Sequence, residues 1–400
     1  MLIGIVGKPN CGKTTFLNAA CLTTAKVADY PFTTIEPNLG TAYVRSQCVC
    51  KELKVQDKPK NSICLNGVRL VPIELLDVAG LVPGAWEGKG LGNKFLDDLR
   101  RADALIHVVD ASGSTDDKGN LTDPGSWDPI EDIKFLEYEI AMWISNILKR
   151  DWHKFTRKIE VEHLDFGDKM AQRLSGLSIK KFHINEALKT SQLVGTKPVK
   201  WNDEEIYNFS AALRKIAKPM IIIANKADMK TADKNIKRIK EFTEDIVIPA
   251  CVLGEFFLRK FAEDGRINYT PGDSSFEILK ADTFSNGELK TLNNLQELMD
   301  KLGSTGVQLA LDTAVFKLLD RIVAYPVHEV STFSDTDGNV LPDAFIIPKG
   351  TTIKEFASKV HTELAETFIH GINAKTKKRL GDNYIIQNCD VVKFVSAKGH

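Results

Sequence analysis

The run Gly7-Lys8-Pro9-Asn10-Cys11-Gly12-Lys13-Thr14 constrains this chain more than any other segment. It has the form G-x-x-x-x-G-K-S/T, with the apolar stretch Leu2-Ile3-Gly4-Ile5-Val6 before it and a helix-compatible stretch from Thr15 after it. Strand, loop and helix in that order are the context the motif requires. Gly7 and Gly12 let the backbone curl until successive N–H groups point inward at phosphate oxygens. The helix adds the positive end of its dipole. Lys13 supplies a point charge between the β- and γ-phosphates, and Thr14 offers a hydroxyl to magnesium. A chain that opens this way is expected to build an α/β fold, a doubly wound sheet of the P-loop NTPase type.

Downstream motifs fit the same site. Asp77-Val78-Ala79-Gly80 follows the apolar run from Val71 to Leu76. A carboxylate at the end of that strand can reach magnesium through water, and Gly80 lets a backbone N–H approach a γ-phosphate. Five glycines between Gly80 and Gly92 give the next segment a high conformational entropy, so it is expected to order on ligand binding. In the loop Asp29 to Asn38, Thr34 is the residue expected to close over magnesium and the γ-phosphate, with Thr33 in reserve. The catalytic candidates are therefore Lys13, Thr34 and Gly80. The magnesium candidates are Thr14, Thr34 and Asp77.

A purine-reading motif lies far along the chain. Pro219 to Ala224 is wholly apolar and suits a central parallel strand. It ends in Asn225-Lys226-Ala227-Asp228. Asp228 can accept hydrogen bonds from guanine's ring N–H and exocyclic amine, which adenine lacks in that arrangement. Facing adenine, the unpaired carboxylate would cost about 1–3 kcal/mol or more. That asymmetry selects GTP over ATP. Asn225 is expected to tie the base loop to the phosphate loop, and the stem of Lys226 to pack over the base. Ile246 to Val252 reads as the last base-side strand and loop, placing Cys251 and Val252 where a backbone N–H meets the guanine oxygen. The nucleotide-binding candidates are thus Asn10, Cys11, Gly12, Lys13, Thr14 and Thr15 at the phosphate end. At the base end they are Asn225, Lys226, Asp228, Cys251 and Val252. Cys11 lies near a helix N-terminus and Lys13, surroundings that lower a thiol's pKa. A redox-sensitive loop stands against the plainer reading of Cys11 as a small packing residue.

Bulk properties exclude several classes. Lys+Arg and Asp+Glu balance at 53 each, so no whole-molecule attraction to nucleic acid or membrane follows from charge. The seven cysteines are odd in number and form no C-x-x-C pair, which fits a reducing compartment. Cys48-x-Cys50 lacks a second Cys or His pair at zinc spacing, so no metal is expected there. The chain has no run of about 18 apolar residues and does not open like a signal peptide. A cytoplasmic protein with no membrane partner is expected.

Length implies two or three domains. Val108-Val109-Asp110 closes one strand, and the strand bearing Asn225 begins near Pro219. A single crossover does not need that distance. An insertion over 115–200 is expected, with Ile133, Leu136, Ile140, Trp143, Ile144, Ile147 and Leu148 at helical spacing and Glu160 to Leu174 also helix-compatible. We expect a helical hairpin of coiled-coil type. Asn202-x-x-Glu205 has the form of a capping box returning to the main domain, 1–114 with 201–324. From Tyr325 the texture changes to short β-like runs (Ala344 to Ile347, Val391 to Val395) around one helix. Thr352-x-x-Glu355 caps that helix, and Ile353, Phe356, Val360 and Leu364 line its face. This predicts a β-grasp, ubiquitin-like domain over 325–400.

Taken together these residues resemble the Obg-related GTPases, in particular the YchF branch in its archaeal form with a C-terminal TGS domain. The resemblance rests on Tyr30-Pro31-Phe32-Thr33-Thr34 with Pro37-Asn38, and on Gly80-Leu81-Val82-x-Gly84-Ala85 running to Gly92. Leu341-Pro342-Asp343-Ala344 through Pro348-Lys349-Gly350-Thr351-Thr352 and Val360-His361 completes it. It implies magnesium-dependent hydrolysis of GTP to GDP coupled to a ribosome or RNA partner. The cluster Lys375, Lys377, Lys378 and Arg379 could meet phosphates. Many YchF proteins have an altered base motif and prefer ATP, whereas Asn225-Lys226-x-Asp228 is intact here. The family's usual Ser-Ala in the last base loop aligns with Cys251-Val252. Leu81 replaces the glutamine that orients water in Ras-like enzymes, so slow intrinsic turnover is expected. Asn10 occupies the position where some potassium-dependent relatives hold that ion. The alternatives are a nucleotide-gated RNA-binding module with negligible hydrolysis, and a YchF-like ATPase.

Overall fold

The computed structural model describes residues 1–21, 38–78, 84 and 98–397. Strand β1 (Leu2–Val6) runs through the middle of a seven-stranded sheet. Leu2 and Val6 enter the core on one face, Ile3 and Ile5 the core on the other. A parallel strand covered on both sides needs such a continuous apolar run. The remaining strands are β2 (Leu39–Gln47), β3 (Ile63–Leu65), β4 (Val68–Asp77), β5 (Ala104–Asp110), β6 (Met220–Asn225) and β7 (Ile246–Pro249). Their order is β2-β4-β1-β5-β6-β7, with β3 hairpinned onto β4. β4, β1, β5, β6 and β7 are parallel, while β2 and β3 run antiparallel to β4. Because β4 and β5 flank β1 on opposite sides, loops leaving the carboxyl ends of β1, β4, β5 and β6 converge at one edge. Ligands of open α/β sheets bind at such a switch point.

Helix α1 (Lys13–Cys21) follows the phosphate loop and buries Phe16, Ala19 and Ala20 completely. The one-turn helix α2 (Cys50–Leu53) lies beyond β2. The path from β5 to β6 carries α3 (Pro129–Lys149), α4 (Trp152–Val161), α5 (Phe166–Arg173), α6 (Lys181–Thr190) and α7 (Asp203–Ala217). Ile133, Leu136, Ile140, Trp143, Ile144 and Leu148 are buried on α3, as their spacing implied. The expected hairpin is instead a cluster in which the short helices α4, α5 and α6 lie between the longer α3 and α7 in the chain. Asp151, at φ 55, turns the chain after α3. His163, at φ 50, and the Asp165 side chain, which caps the Asp168 amide, split the expected Glu160 to Leu174 helix in two. The cluster closes around stacked Trp152 and Trp201, 5.5 Å between ring centroids, with Phe166 and Phe209 beside them. Asn202 and Glu205 form the expected capping box of α7.

After β6 come α8 (Ala232–Phe242) and, beyond β7, α9 (Val252–Glu263). A two-stranded ribbon of β8 (Ile267–Asn268) and β9 (Glu277–Ile278) leads to α10 (Asn286–Leu302). Leu258, Phe261, Tyr269, Phe284, Leu292, Leu295 and Met299 give this part its own core. α11 (Val307–Asp312) then returns to the main sheet. No described helix is long and apolar enough to cross a membrane.

The C-terminal sheet comprises β10 (Arg321–Pro326), β11 (Phe345–Pro348), β12 (Phe368–Asn373), β13 (Arg379–Leu380) and β14 (Asp390–Ser396), ordered β11-β10-β14-β12-β13. Its two central strands, β10 and β14, are parallel. One face packs on α12 (Ile353–Val360) through Ile353 and Phe356. Leu364 lies on a separate short helix, α13 (Thr362–Glu366), because the backbone of His361 is extended. The sheet opens at Arg321, so Tyr325 lies inside β10.

This sheet shares a core with the first one. Val323, Tyr325, Leu341, Ala344 and Val391 belong to the same apolar cluster as Ile3, Val71, Ile106 and Ile248. Arg69 is fully buried beneath the Tyr325 ring, 5.5 Å from its centroid, and Nη2 donates to the Leu341 carbonyl. The amides of Lys58 and Lys60 donate to the carbonyls of Val340 and Pro342 at 2.8 and 2.7 Å.

His107 is buried on the face of β5 opposite Ile106 and Val108, with Nδ1 unpaired. Burial, reinforced by the cations of Lys13, Arg214 and Lys8, holds it down at about 3 from an ordinary 6.5. The unfolded chain takes up a proton there below about pH 6.5 and the native chain does not. Stability from the neutral ring is therefore full above that pH and is lost as the pH falls towards 3. Urea unfolding at pH 7 and pH 5 should show wild type losing about 2 kcal/mol more than His107→Leu. Equal losses would contradict this account.

Candidate functional site

The phosphate loop leaves β1 at Gly7, which sits at φ 145 with Val108 behind it. A Cβ there would stand 2.4 Å from the Val108 carbonyl oxygen. Gly12, at φ 110, is equally constrained, since a Cβ would stand 2.2 Å from Asn225 Nδ2. The glycines thus allow the loop to press on β5 and on the base loop at once. Lys13 lies buried with Nζ on the Lys8 carbonyl at 2.7 Å, inside the curl of the loop. Thr14 Oγ1 donates to Asp77 Oδ2 at 2.6 Å, so the first turn of α1 and the end of β4 bring a hydroxyl and a carboxylate together. Hard oxygen donors of this kind suit Mg²⁺. Thr15 is half-buried on the first turn of α1.

Asn10, at φ 59, donates from Nδ2 to the Gly119 carbonyl at 2.9 Å. Cys11 Sγ points at the Lys8 carbonyl, 3.1 Å away, and is fully buried. Burial pushes its thiol up to about 11, outweighing the pull of Lys13. The reactive, lowered-pKa reading of Cys11 is therefore corrected: the residue packs the loop, because desolvation of the thiolate exceeds the attraction of one nearby cation.

Asn225 joins the two ends of the site. Its Nδ2 donates to the Cys11 carbonyl at 2.8 Å and its Oδ1 accepts from the Val252 amide at 3.2 Å. Phosphate loop, β6 and the loop after β7 are thereby fixed to one side chain. The Cys251 amide donates to the Thr305 carbonyl at 2.9 Å, so both amides of that loop hold bonds within the protein. Asp228 stands exposed at the mouth of a cavity of about 570 Å³, with Ala227, Cys251 and Leu253 among its lining. Burial and then the neighbouring Asp228 carboxylate push the Cys251 thiol up to about 12. Thr33, Thr34, Gly80 and Leu81 lie outside the described residues. Gly84 is described, and its amide donates to Glu139 Oε1 on α3 at 2.9 Å.

Residues outside the motifs also help to hold the site. Lys226, at φ 61, places its ammonium 2.8 Å from Asp110 Oδ2 and 3.1 Å from Ser114 Oγ. Asp110 is buried and also accepts from Ser112, Ser114 and Thr115. Burial alone would raise its carboxyl; the bonds from Lys226 and Ser112 outweigh that and leave it below its ordinary value. Lys8 is buried with Nζ on the Thr115 carbonyl at 2.7 Å and on Asp132 at 2.9 Å, while Trp127 Nε1 donates to the same carboxylate. The loop between β5 and α3 is therefore wired to the phosphate loop from both sides. Asp132 was detectable: with Leu136 and Ile140 it lies on one helical stripe, and a carboxylate on a buried stripe demands a cation.

Comparison with known proteins bears on the whole chain. It is 48% identical over 397 residues to an uncharacterized GTP-binding protein of Methanocaldococcus jannaschii, covering 99% of each. The chain belongs to the Obg-like GTPases of the YchF group. Three family models match: "50S ribosome-binding GTPase" over residues 2–142, "Obg-like GTPase YGR210-like, G4 motif-containing domain" over 223–329, and "TGS domain" over 337–396. The crystal structure of a GTP-binding protein from Pyrococcus horikoshii superposes with a TM-score of 0.78 at 39% identity, covering 99% of this chain and 100% of that one. The ribosome-binding ATPase YchF of Bacillus subtilis is 27% identical, with 98% of each chain covered. The Obg-like chain thus combines a P-loop GTPase fold with a C-terminal TGS domain.

The Lys8–Asp132 pair is testable by itself, with side chains only 3% and 6% exposed. Asp132→Leu should destabilise by about 3–5 kcal/mol, because it strands a buried ammonium. Lys8→Met combined with Asp132→Leu should recover most of that loss in urea unfolding. A double variant as unstable as the single one would contradict the pairing.

Proposed function

We propose that this chain binds GTP and hydrolyses it to GDP with Mg²⁺, acting as a switch on the ribosome or another RNA partner. The observation that carries this reading is the Asn225 bridge between the Cys11 carbonyl and the Val252 amide. It sets an exposed carboxylate, Asp228, beside a curled phosphate loop, which suits a guanine at one end and a triphosphate at the other. In this reading the amides from Asn10 to Thr15 cradle the phosphates, and Lys13 leaves the Lys8 carbonyl for a phosphate oxygen. Thr14 and Asp77, with Thr34, would hold Mg²⁺. That ion, when bound, neutralises charge on the β- and γ-phosphates. Lys13 and the Gly80 amide then stabilise the transferring phosphoryl group, and Lys226, anchored on Asp110, keeps its stem along the base. Cys251 and Val252 flank the guanine oxygen.

The same reading gives the nucleotide site to residues 1–114 and 201–324, its support to 115–200, and partner contact to 325–400. Lys377 and Lys378 are exposed just before β13 and Arg379 is exposed at its first position, whereas Lys375 is held by Glu52 at 2.6 Å. The names of the matching family model and of the Bacillus relative favour a ribosomal partner. A cytoplasmic location follows from that partner. The Bacillus name also favours an ATPase, which the intact Asp228 opposes. Leu81, where Ras-like enzymes have glutamine, supports slow turnover or a binding module with little hydrolysis.

Two measurements test this. In displacement of a fluorescent GDP analogue, ATP should compete about 100-fold more weakly than GTP, and Asp228→Asn should shrink that ratio to about tenfold or less. Equal competition in the wild type would transfer the site to the ATPase reading. If Asn10 helps hold potassium, turnover should be faster in potassium than in sodium at equal ionic strength. Equal rates would remove potassium from the mechanism.

A further inference from the structure

The loop after β2 brings together four side chains from separate elements. Cys48 follows β2, with its amide on the Gly67 carbonyl at 2.9 Å. Cys50 opens α2, Asp57 lies on the loop beyond it, and Cys64 sits in β3. One ligand atom from each lies within 4.8 Å of all the others. Cys50 Sγ and Cys64 Sγ are 3.8 Å apart, and Cys48 Sγ is 3.2 Å from Asp57 Oδ2.

The sulfur–sulfur separation matches an edge of a metal tetrahedron, and the sulfur–oxygen separation is slightly shorter than one. Zinc–sulfur bonds of about 2.3 Å place two sulfurs about 3.8 Å apart, and a sulfur about 3.5 Å from a carboxylate oxygen. A disulfide needs sulfurs at about 2.05 Å and leaves no role for a third thiol and a carboxylate in the same shell. Soft thiolate donors select zinc over magnesium or calcium. Cys48 and Cys50 are buried, and the Asp57 side chain is 11% exposed. Arg69, fully buried, donates from Nη1 to Asp57 Oδ2 at 2.9 Å. It thereby orients the carboxylate from outside the ligand set and offsets the negative charge that three thiolates and a carboxylate leave around a divalent ion.

We propose that Cys48, Cys50, Asp57 and Cys64 bind one structural zinc ion that clamps the loop over residues 54–62 against the C-terminal domain. Four protein ligands leave no open position, so the site serves folding and not catalysis. The clamped loop pairs Lys58 and Lys60 with the carbonyls of Val340 and Pro342, and Asn61 with both backbone groups of Ala344. Zinc at this point fixes the seam between the nucleotide domain and the TGS domain. The C-x-C pair looked partnerless because its other two ligands come singly, from a loop and from a different strand.

The test is metal analysis of the full chain, purified from zinc-supplied cells and desalted. We expect one zinc per chain, falling to background in Cys48→Ser and Cys64→Ser and staying at one in Cys21→Ser. A ligand variant that fails to fold would also lose metal, so a second measurement uses the wild type alone. Replacement of zinc by cobalt(II) should give thiolate-to-cobalt charge-transfer absorption and the visible bands of tetrahedral cobalt. Wild type without zinc, zinc retained in Cys64→Ser, another metal in its place, or an intact mass showing a Cys50–Cys64 disulfide would each overturn the proposal.

Discussion

The hydrogen bond from Asn225 Nδ2 to the Cys11 carbonyl, 2.8 Å long, makes one site out of two loops more than 200 residues apart in sequence. The carbonyl belongs to the phosphate loop, and the other end of the same amide holds the loop after β7. Both bonds are buried, where an unpaired partner costs about 1–3 kcal/mol. The two loops proposed to read the purine and the phosphates are therefore held together by one buried side chain. The glycine at position 12 is a condition of that bond, since any Cβ would collide with the asparagine amide.

A second layer of charge holds this arrangement from behind. Lys8 reaches out of the phosphate loop to Asp132 on α3, and Lys226 reaches out of the base loop to Asp110. Both carboxylates flank the segment that leads into the helical cluster, so the cluster braces the nucleotide site as well as filling space. Gly84, bonded to Glu139 on the same α3, extends that contact towards the segment after Asp77.

Motif residues were legible because their chemistry demands fixed spacing. Gly7 to Thr14, Asp77, Asn225 and Asp228 all lie at strand ends facing one edge. The run Leu2 to Val6 was equally readable as a buried strand. Four things were not. The break at His163 and Asp165 depends on a single positive φ and a side-chain cap, which helical periodicity does not register. The buried location of Cys11 depends on long-range packing, so its raised thiol was invisible to local reasoning. Asp110 and Asp132 belong to no motif and Lys8 fills a variable position of one, so their pairing is set by how the insertion folds back. The shared core of the two sheets, centred on Arg69 and Tyr325, likewise arises from residues remote in sequence.

The account stands or falls on where a nucleotide lies. A crystal structure of the chain with a non-hydrolysable GTP analogue and magnesium addresses this most directly. We expect the guanine N1 and N2 edge on the Asp228 carboxylate, the phosphates within the amides of residues 10–15, and Asn225 still bonded to Cys11. A nucleotide bound elsewhere, or a base turned away from Asp228, would contradict it.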